Sequence, residues 1–167
     1  MKSVDYQKLI PELSDWDLNY QSTESTKRIL GHEVRIDPID YWTAANARLD
    51  YFVMYARMIW PEFIEHDDCV FFADGFSADS YKRWRQELDK PRTEAMLNHR
   101  HITDLFLNST FKPNLDIVLY IGRCLKEVWT EKLKRDFPAR RFVVSFPEDP
   151  PSDDLVSYEI SFFQDRE

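Results

Sequence analysis

The stretch that decides the fold covers residues 37–60 and reads DPIDYWTAANARLDYFVMYARMIW. Several of its polar side chains recur at steps of three, four and seven residues, which places them on one face of a helix. They are Thr43, Asn46, Asp50 and Arg57. Nearly all other positions are apolar or aromatic, and a helix that is apolar around most of its circumference is typical of the middle of a fold. We therefore predict a central helix over about residues 38–60, capped by Asp37 and ended by Pro61.

Composition predicts one globular domain, residues 1–167, in the cytoplasm. The formal charge of −8 disfavours nucleic acid as a partner, because such binding depends on neutralising phosphates, and it fits a basic protein. Cys69 and Cys124 are too few for a disulfide framework and fit buried thiols in a reducing compartment. The chain begins without a signal-like apolar segment, and no apolar run approaches the roughly 20 residues of a membrane helix. We expect no membrane contact.

Nucleotide-binding loops are absent from the sequence. The three glycines, Gly31, Gly75 and Gly122, are each isolated. Phosphate-cradling loops need clustered glycines so that backbone amides can approach the anion. The sequence therefore offers neither a P-loop nor a dinucleotide fingerprint, and no cofactor is assigned to it.

Further elements are readable along the chain. A short buried strand is predicted over residues 69–73, before the turn signal Asp74-Gly75. An amphipathic helix is predicted from Ser77 or Asp79 to about residue 88, and another over about residues 93–107. The clearest helix covers residues 114–137, with apolar residues at helical spacing and basic residues near its end.

Alternating apolar residues then predict two strands, over residues 141–146 and 155–163, joined by an acidic, proline-rich loop. We expect these strands to pair as an antiparallel hairpin, which residues 69–73 join. The predicted class is α+β. Four or five helices would pack around the central helix, with a small antiparallel sheet that includes the C-terminal hairpin.

Histidine with acid is the best candidate for chemistry. His66, Asp67 and His99 are the candidate catalytic residues, with Asp50 as a further polar neighbour, because His–carboxylate sets bind metals and act as general bases. His99 and His101 fall in the predicted helix 93–107, where residues two apart point about 200° away from each other. One helix face cannot present both rings, so no metal-ligand set is assigned, and structural roles for these histidines are favoured.

The charge pattern suggests a docking surface. Basic residues gather where the last helix meets the hairpin: Lys132, Lys134, Arg135, Arg140 and Arg141. Acidic residues gather in the following loop: Glu148, Asp149, Asp153 and Asp154. With no convincing catalytic set, we expect an acidic protein-interaction module, an inhibitor or immunity-type binder of a basic partner. The alternatives are a small metal-binding protein or enzyme that uses the His/Asp cluster, and a homo-oligomer that pairs through the hairpin edge.

Overall fold

The computed structural model describes residues 47–107, 113–147 and 154–166, together with Leu9, Gly31 and Thr43. The chain divides into two compact units, Met1–Met54 and Tyr55–Glu167. The first described helix, α1, spans Leu49–Ile59. Most of the predicted central helix before α1, and the acidic residues at positions 148, 149 and 153, lie outside the described residues.

The α+β class is confirmed. After α1, the elements follow in the order β1 (Phe63–His66), β2 (Cys69–Phe72), α2 (Ala78–Trp84), α3 (Lys90–Asn98), β3 (Arg100–His101), α4 (Leu115–Asp136), β4 (Arg141–Ser145) and β5 (Glu159–Asp165). Single turns of 3₁₀ helix lie at Thr103–Phe106 and Leu155–Ser157. The described residues thus contain four α-helices and two small antiparallel sheets.

Helix α4 is the main helix of the hydrophobic core. Asn114 caps it by accepting a hydrogen bond from the backbone N–H of Ile117 at 3.0 Å. Its apolar face buries Leu125, Trp129 and Leu133, each at most 2% exposed. These side chains share one core cluster with residues of the C-terminal hairpin, so burial of a single helix stripe against a sheet face organises this unit.

The predicted hairpin is confirmed, but its second strand is Glu159–Asp165, since Leu155–Ser157 form a 3₁₀ turn. Strands β4 and β5 pair in antiparallel register, with Val144 opposite Phe162, and the short strand β3 lies on the other side of β5. The period of two is visible in β5 and the residue before it. Tyr158, Ile160 and Phe162 are fully buried, and Glu159 between them is exposed.

Strands β1 and β2 form a separate hairpin with a two-residue turn. Both turn residues have positive φ, 49° for Asp67 and 62° for Asp68. Two consecutive left-handed residues are the geometry of a type I′ turn, which matches the twist of the flanking strands. Aspartate tolerates this conformation better than most residues do.

Two buried polar residues of α3 connect this hairpin to the three-stranded sheet. Glu94 and Asn98, one helical turn apart and both 0% exposed, lie between β2 and β5. Glu94 accepts hydrogen bonds from the backbone N–H groups of Val70 (2.7 Å) and Gln164 (3.0 Å). Asn98 accepts from the N–H of Phe72 and donates to backbone carbonyls on both strands, Val70 at 2.9 Å and Phe162 at 3.3 Å. Side chains thereby replace the strand-to-strand ladder.

The prediction that residues 69–73 join the C-terminal hairpin is therefore wrong. Strand β2 pairs with β1, in a two-stranded sheet of its own. The backbone groups of β2 next to α3 bond to Glu94 and Asn98, so they are unavailable for a ladder with β5. A buried strand was correctly predicted, but its neighbour was not.

The prediction of a helix over residues 93–107 is wrong in its second half. Helix α3 ends at Asn98, and Arg100 and His101 pair with Ile160 and Glu159 of β5. The N–H of Ile102 donates to the carbonyl of Tyr158 at 2.9 Å, and Ile102 is 1% exposed. Ile102 itself has helical backbone angles (φ −60°, ψ −39°) and leads into the 3₁₀ turn Thr103–Phe106, so the helical pattern is interrupted at residues 99–101 and is not continued as an α-helix.

The central role predicted for the helix over residues 38–60 is also not found in its described part. No residue of α1 is buried, and Phe52 is 66% exposed. Apolar composition does not require burial, because folded proteins keep much apolar surface. Within the second unit, α4 occupies the central position that the sequence assigned to the earlier helix.

Candidate metal centre

The end of α3 and the pairing of β3 with β5 bring two histidines and a glutamate together. His99 follows the last residue of the helix with extended backbone (φ −71°, ψ 146°), and His101 ends strand β3. In an extended chain, residues two apart point to the same side, so both rings share one face. Glu159 lies directly opposite His101 in the β3–β5 register.

The three side chains converge. The two imidazole rings lie edge to face, with centroids 5.5 Å apart. One ligand atom from each of His99, His101 and Glu159 falls within 4.8 Å of the other two. Among the described residues, this is the group of histidine, cysteine and carboxylate side chains that comes close enough to hold one metal ion.

Hydrogen bonds to backbone carbonyls orient both rings. Nδ1 of His99 lies 2.6 Å from the carbonyl oxygen of Met96, and Nδ1 of His101 lies 2.8 Å from that of Val156. A carbonyl oxygen can only accept, so in the neutral form of each ring Nδ1 carries the proton and Nε2 keeps its lone pair. Metal-binding histidines are commonly held in this way.

The site is accessible from a cavity. Both histidines are partly exposed and Glu159 is exposed. A cavity of about 730 Å³ adjoins them, and its lining includes His99 and Glu159. The side chains are therefore reachable by an ion and by a second ligand.

The predicted candidates His66 and Asp67 have structural surroundings. The ring of His66 packs against Tyr81 in an edge-to-face contact, with centroids 4.9 Å apart, and against Phe76 at 5.2 Å. Asp67 accepts a hydrogen bond from the Tyr81 hydroxyl at 2.6 Å and pairs with Lys90 at 3.4 Å. The Tyr81 hydrogen bond, helped by the charge of Lys90, lowers the pKa of the Asp67 carboxyl.

Only His99 of the three predicted catalytic residues belongs to the convergent group. Asp50, the further polar neighbour proposed from the sequence, forms an ion pair with Arg48 at 2.6 Å. His101 was not among the predicted site residues because residues 93–107 were predicted to be helical. The His-x-His spacing itself matches the period of a strand. Glu159 gave no local signal, since its position depends on which residue of β3 it faces.

Neither cysteine has the surroundings of a nucleophile. Burial raises the pKa of the Cys69 thiol and that of Cys124. Cys69 is 0% exposed and lies 3.9 Å from the Tyr81 hydroxyl. A reactive cysteine needs a lowered pKa and access, so neither environment favours reaction at the thiol.

No known protein family, curated protein or solved structure matches this chain. In the part of the chain that the structure describes, none of the helices combines the length and apolar character needed to cross a membrane. Because no related protein is matched, support for the candidate metal site comes from the geometry of its own residues.

Proposed function

We propose that this protein binds a divalent transition-metal ion through His99, His101 and Glu159. The observation that carries the proposal is the convergence of one ligand atom from each of the three side chains to within 4.8 Å. The Nδ1 hydrogen bonds support it, because they leave the Nε2 lone pair of each neutral ring available to a metal. Imidazole and carboxylate together suit zinc, iron, cobalt and nickel. This is the metal-binding alternative from the sequence, with His101 and Glu159 in place of His66 and Asp67.

The candidate ligand atoms need to move only a short distance towards one another to bind an ion. Zinc bonds to histidine nitrogen at about 2.0–2.1 Å, so neighbouring ligand atoms in a tetrahedral site lie about 3.4 Å apart. The candidate ligand atoms lie within 4.8 Å. The exposed side chain of Glu159 has room to approach the rings. Three protein ligands leave at least one coordination position open, which distinguishes ligand-binding or catalytic sites from closed structural ones.

Calorimetric titration of metal-free protein with Zn²⁺ and Co²⁺ tests the proposal. We expect one ion per chain, and at least a tenfold weaker affinity when any one ligand is removed by His99→Ala, His101→Ala or Glu159→Gln. His66→Ala is the matched control, because it removes an imidazole that packs on Tyr81. Retention of full affinity by the three ligand variants, or its loss in the control, would contradict the proposed site.

The second candidate is the acidic interaction module for a basic protein partner. Exposed large apolar residues at the end of α1 and just after it favour a contact surface: Tyr55 (43% exposed), Ile59 (42%) and Trp60 (43%). The net charge of −8 favours a basic partner. The basic cluster expected from the sequence gives less support to a contact surface, because nearby carboxylates offset its charge. Each of its five members has a carboxylate within 4.0 Å: Lys132, Lys134, Arg135, Arg140 and Arg141.

Native mass spectrometry of the protein purified gently from its host separates the two candidates. A mass increase equal to one metal ion supports the first, and a complex with a second, basic polypeptide supports the second. A complex that forms only with metal-loaded protein would mean that partner binding depends on the bound metal, so that both functions belong to this protein. The metal-loaded chain alone, with no binding to an added basic protein such as lysozyme or histone, would count against the interaction module.

A further inference from the structure

The cavity beside the candidate metal centre is a cleft between α3 and the outer face of β5. Strand β5 buries one face in the core, and the opposite face carries Glu159, Ser161 and Phe163. Helix α3 presents Arg92 and Met96 to the cleft, followed by His99 beyond its end, at the spacing of one helix face. The cleft volume of about 730 Å³ is within the range of small-molecule sites.

The lining of this cleft combines polar and apolar groups. His99 and Glu159, two of the three candidate metal ligands, belong to its lining. Much of the remaining lining is apolar, including Leu88, Met96 and Phe163. A ligand that is bound to the metal and lies in the cleft can therefore contact both metal-coordinating side chains and apolar ones.

The charges around the cleft favour an anionic head group. A divalent ion held by two neutral imidazoles and one carboxylate keeps a net charge of +1. Arg92 adds a guanidinium to the lining, with its side chain 75% exposed and the Asp89 carboxylate 3.7 Å away. Oxygen anions are good ligands for such an ion and complement both cations.

We propose that the cleft binds an apolar chain that ends in a carboxylate, whose oxygen fills the open coordination position of the metal. The proposal rests on the metal site proposed above and names the ligand class of that site. The carboxylate binds the ion beside His99 and Glu159, and the chain lies along Met96 and Phe163. No bond is broken in this binding step.

Octanoate and acetate are the probes, added to Co²⁺-loaded protein while the visible absorption of the ion is followed. They share the carboxylate and differ by six methylene groups. A fully buried methylene strengthens binding about fourfold, and a half-buried one about twofold. In an open cleft, octanoate should therefore bind about 60-fold more tightly than acetate. Both ligands should shift the cobalt absorption bands in the same way.

Ser145→Trp is the test variant. Ser145 is exposed on β4 and lines the cleft, so an indole at this position can occupy part of it, and tryptophan suits a strand. Val143→Trp is the control, because Val143 lies two residues away on the same face of β4 but does not line the cleft. We expect Ser145→Trp to reduce the octanoate-to-acetate ratio at least tenfold without changing Co²⁺ affinity, and Val143→Trp to preserve it.

The possible failures are distinguishable. If Co²⁺ does not bind in the titration that precedes the probes, the metal site and this inference fail together. If Co²⁺ binds but octanoate and acetate have equal affinities, the cleft is refuted and the metal site stands. The inference would also be overturned if octanoate bound metal-free protein as tightly as Co²⁺-loaded protein. It would likewise be overturned if both tryptophan variants reduced the octanoate-to-acetate ratio equally.

Discussion

Replacing Glu94 by glutamine tests the side-chain bridge between β2 and β5. The substitution conserves shape and one carbonyl oxygen. That oxygen can still accept from the N–H of Val70, as Oε1 does at 2.7 Å. The new NH₂ group then points at two donors that now bond to Oε2, the N–H of Gln164 at 3.0 Å and the guanidinium of Arg166 at 2.7 Å.

The expected loss of stability follows from these two contacts. A buried N–H left without an acceptor costs about 1–3 kcal/mol, and a hydrogen bond between charged groups contributes about 1.5–3 kcal/mol. The side chain of Arg166 is 23% exposed, so water replaces part of its bond. Removing a buried charge also relieves some desolvation cost. We expect Glu94→Gln to lower the free energy of unfolding by about 3 kcal/mol, a large share of the 5–15 kcal/mol typical of domains.

Urea unfolding followed by circular dichroism measures this loss. The midpoint should fall while the slope with denaturant stays constant, since the surface exposed on unfolding is unchanged. Glu87→Gln is the matched control, because Glu87 is exposed in the segment before α3, and it should change stability by less than about 0.5 kcal/mol. A Glu94→Gln protein as stable as the control would refute the bridge.

Three further predictions concern other parts of the fold. Gly122→Ala should lower the free energy of unfolding in urea by about 1–3 kcal/mol, because a methyl group there overlaps the ring of Phe146. This loss exceeds the roughly 1 kcal/mol gain in helix propensity. If Phe146→Leu does not restore stability to the Gly122→Ala protein, the overlap is not the cause. The lowered pKa of Asp67 means that its bond to Tyr81 stabilises the fold above the unfolded carboxyl value, near pH 4, and that this contribution is lost as the pH falls through the lower folded value. The stability difference between wild type and Asp67→Asn should therefore shrink from pH 7 to pH 3, and a constant difference would disprove the linkage. Cys69 should resist iodoacetamide at pH 8 in the folded protein and react in urea, as read by mass spectrometry, and rapid native labelling would contradict its burial.

Local sequence patterns were sufficient to predict the elements that pack against the next element along the chain. The helix predicted over residues 114–137 appears as Leu115–Asp136, because one stripe of its apolar residues is buried in the core cluster. The two alternating runs near the C-terminus became β4 and β5, paired with each other, because consecutive strands commonly form a hairpin. In both cases one of the partners is the next α-helix or strand along the chain, β4 for the helix and β5 for β4.

Prediction failed where a distant partner decides the local structure. The helical spacing of apolar residues continues after Asn98, but residues 99–101 are extended where β3 pairs with β5. That single error separated His99 from His101 and hid the site. The bonds from Glu94 and Asn98 likewise join strands distant in sequence, so periodicity alone could not place β2 beside β1 and away from the hairpin.

The most direct test of the metal site is a crystal structure of the protein loaded with Zn²⁺, with anomalous diffraction recorded at the zinc edge. We expect one strong peak bonded to Nε2 of His99, Nε2 of His101 and a carboxylate oxygen of Glu159, at about 2.0–2.2 Å. A peak at His66 and Asp67, or no peak beside β3 and β5 at saturating zinc, would contradict it.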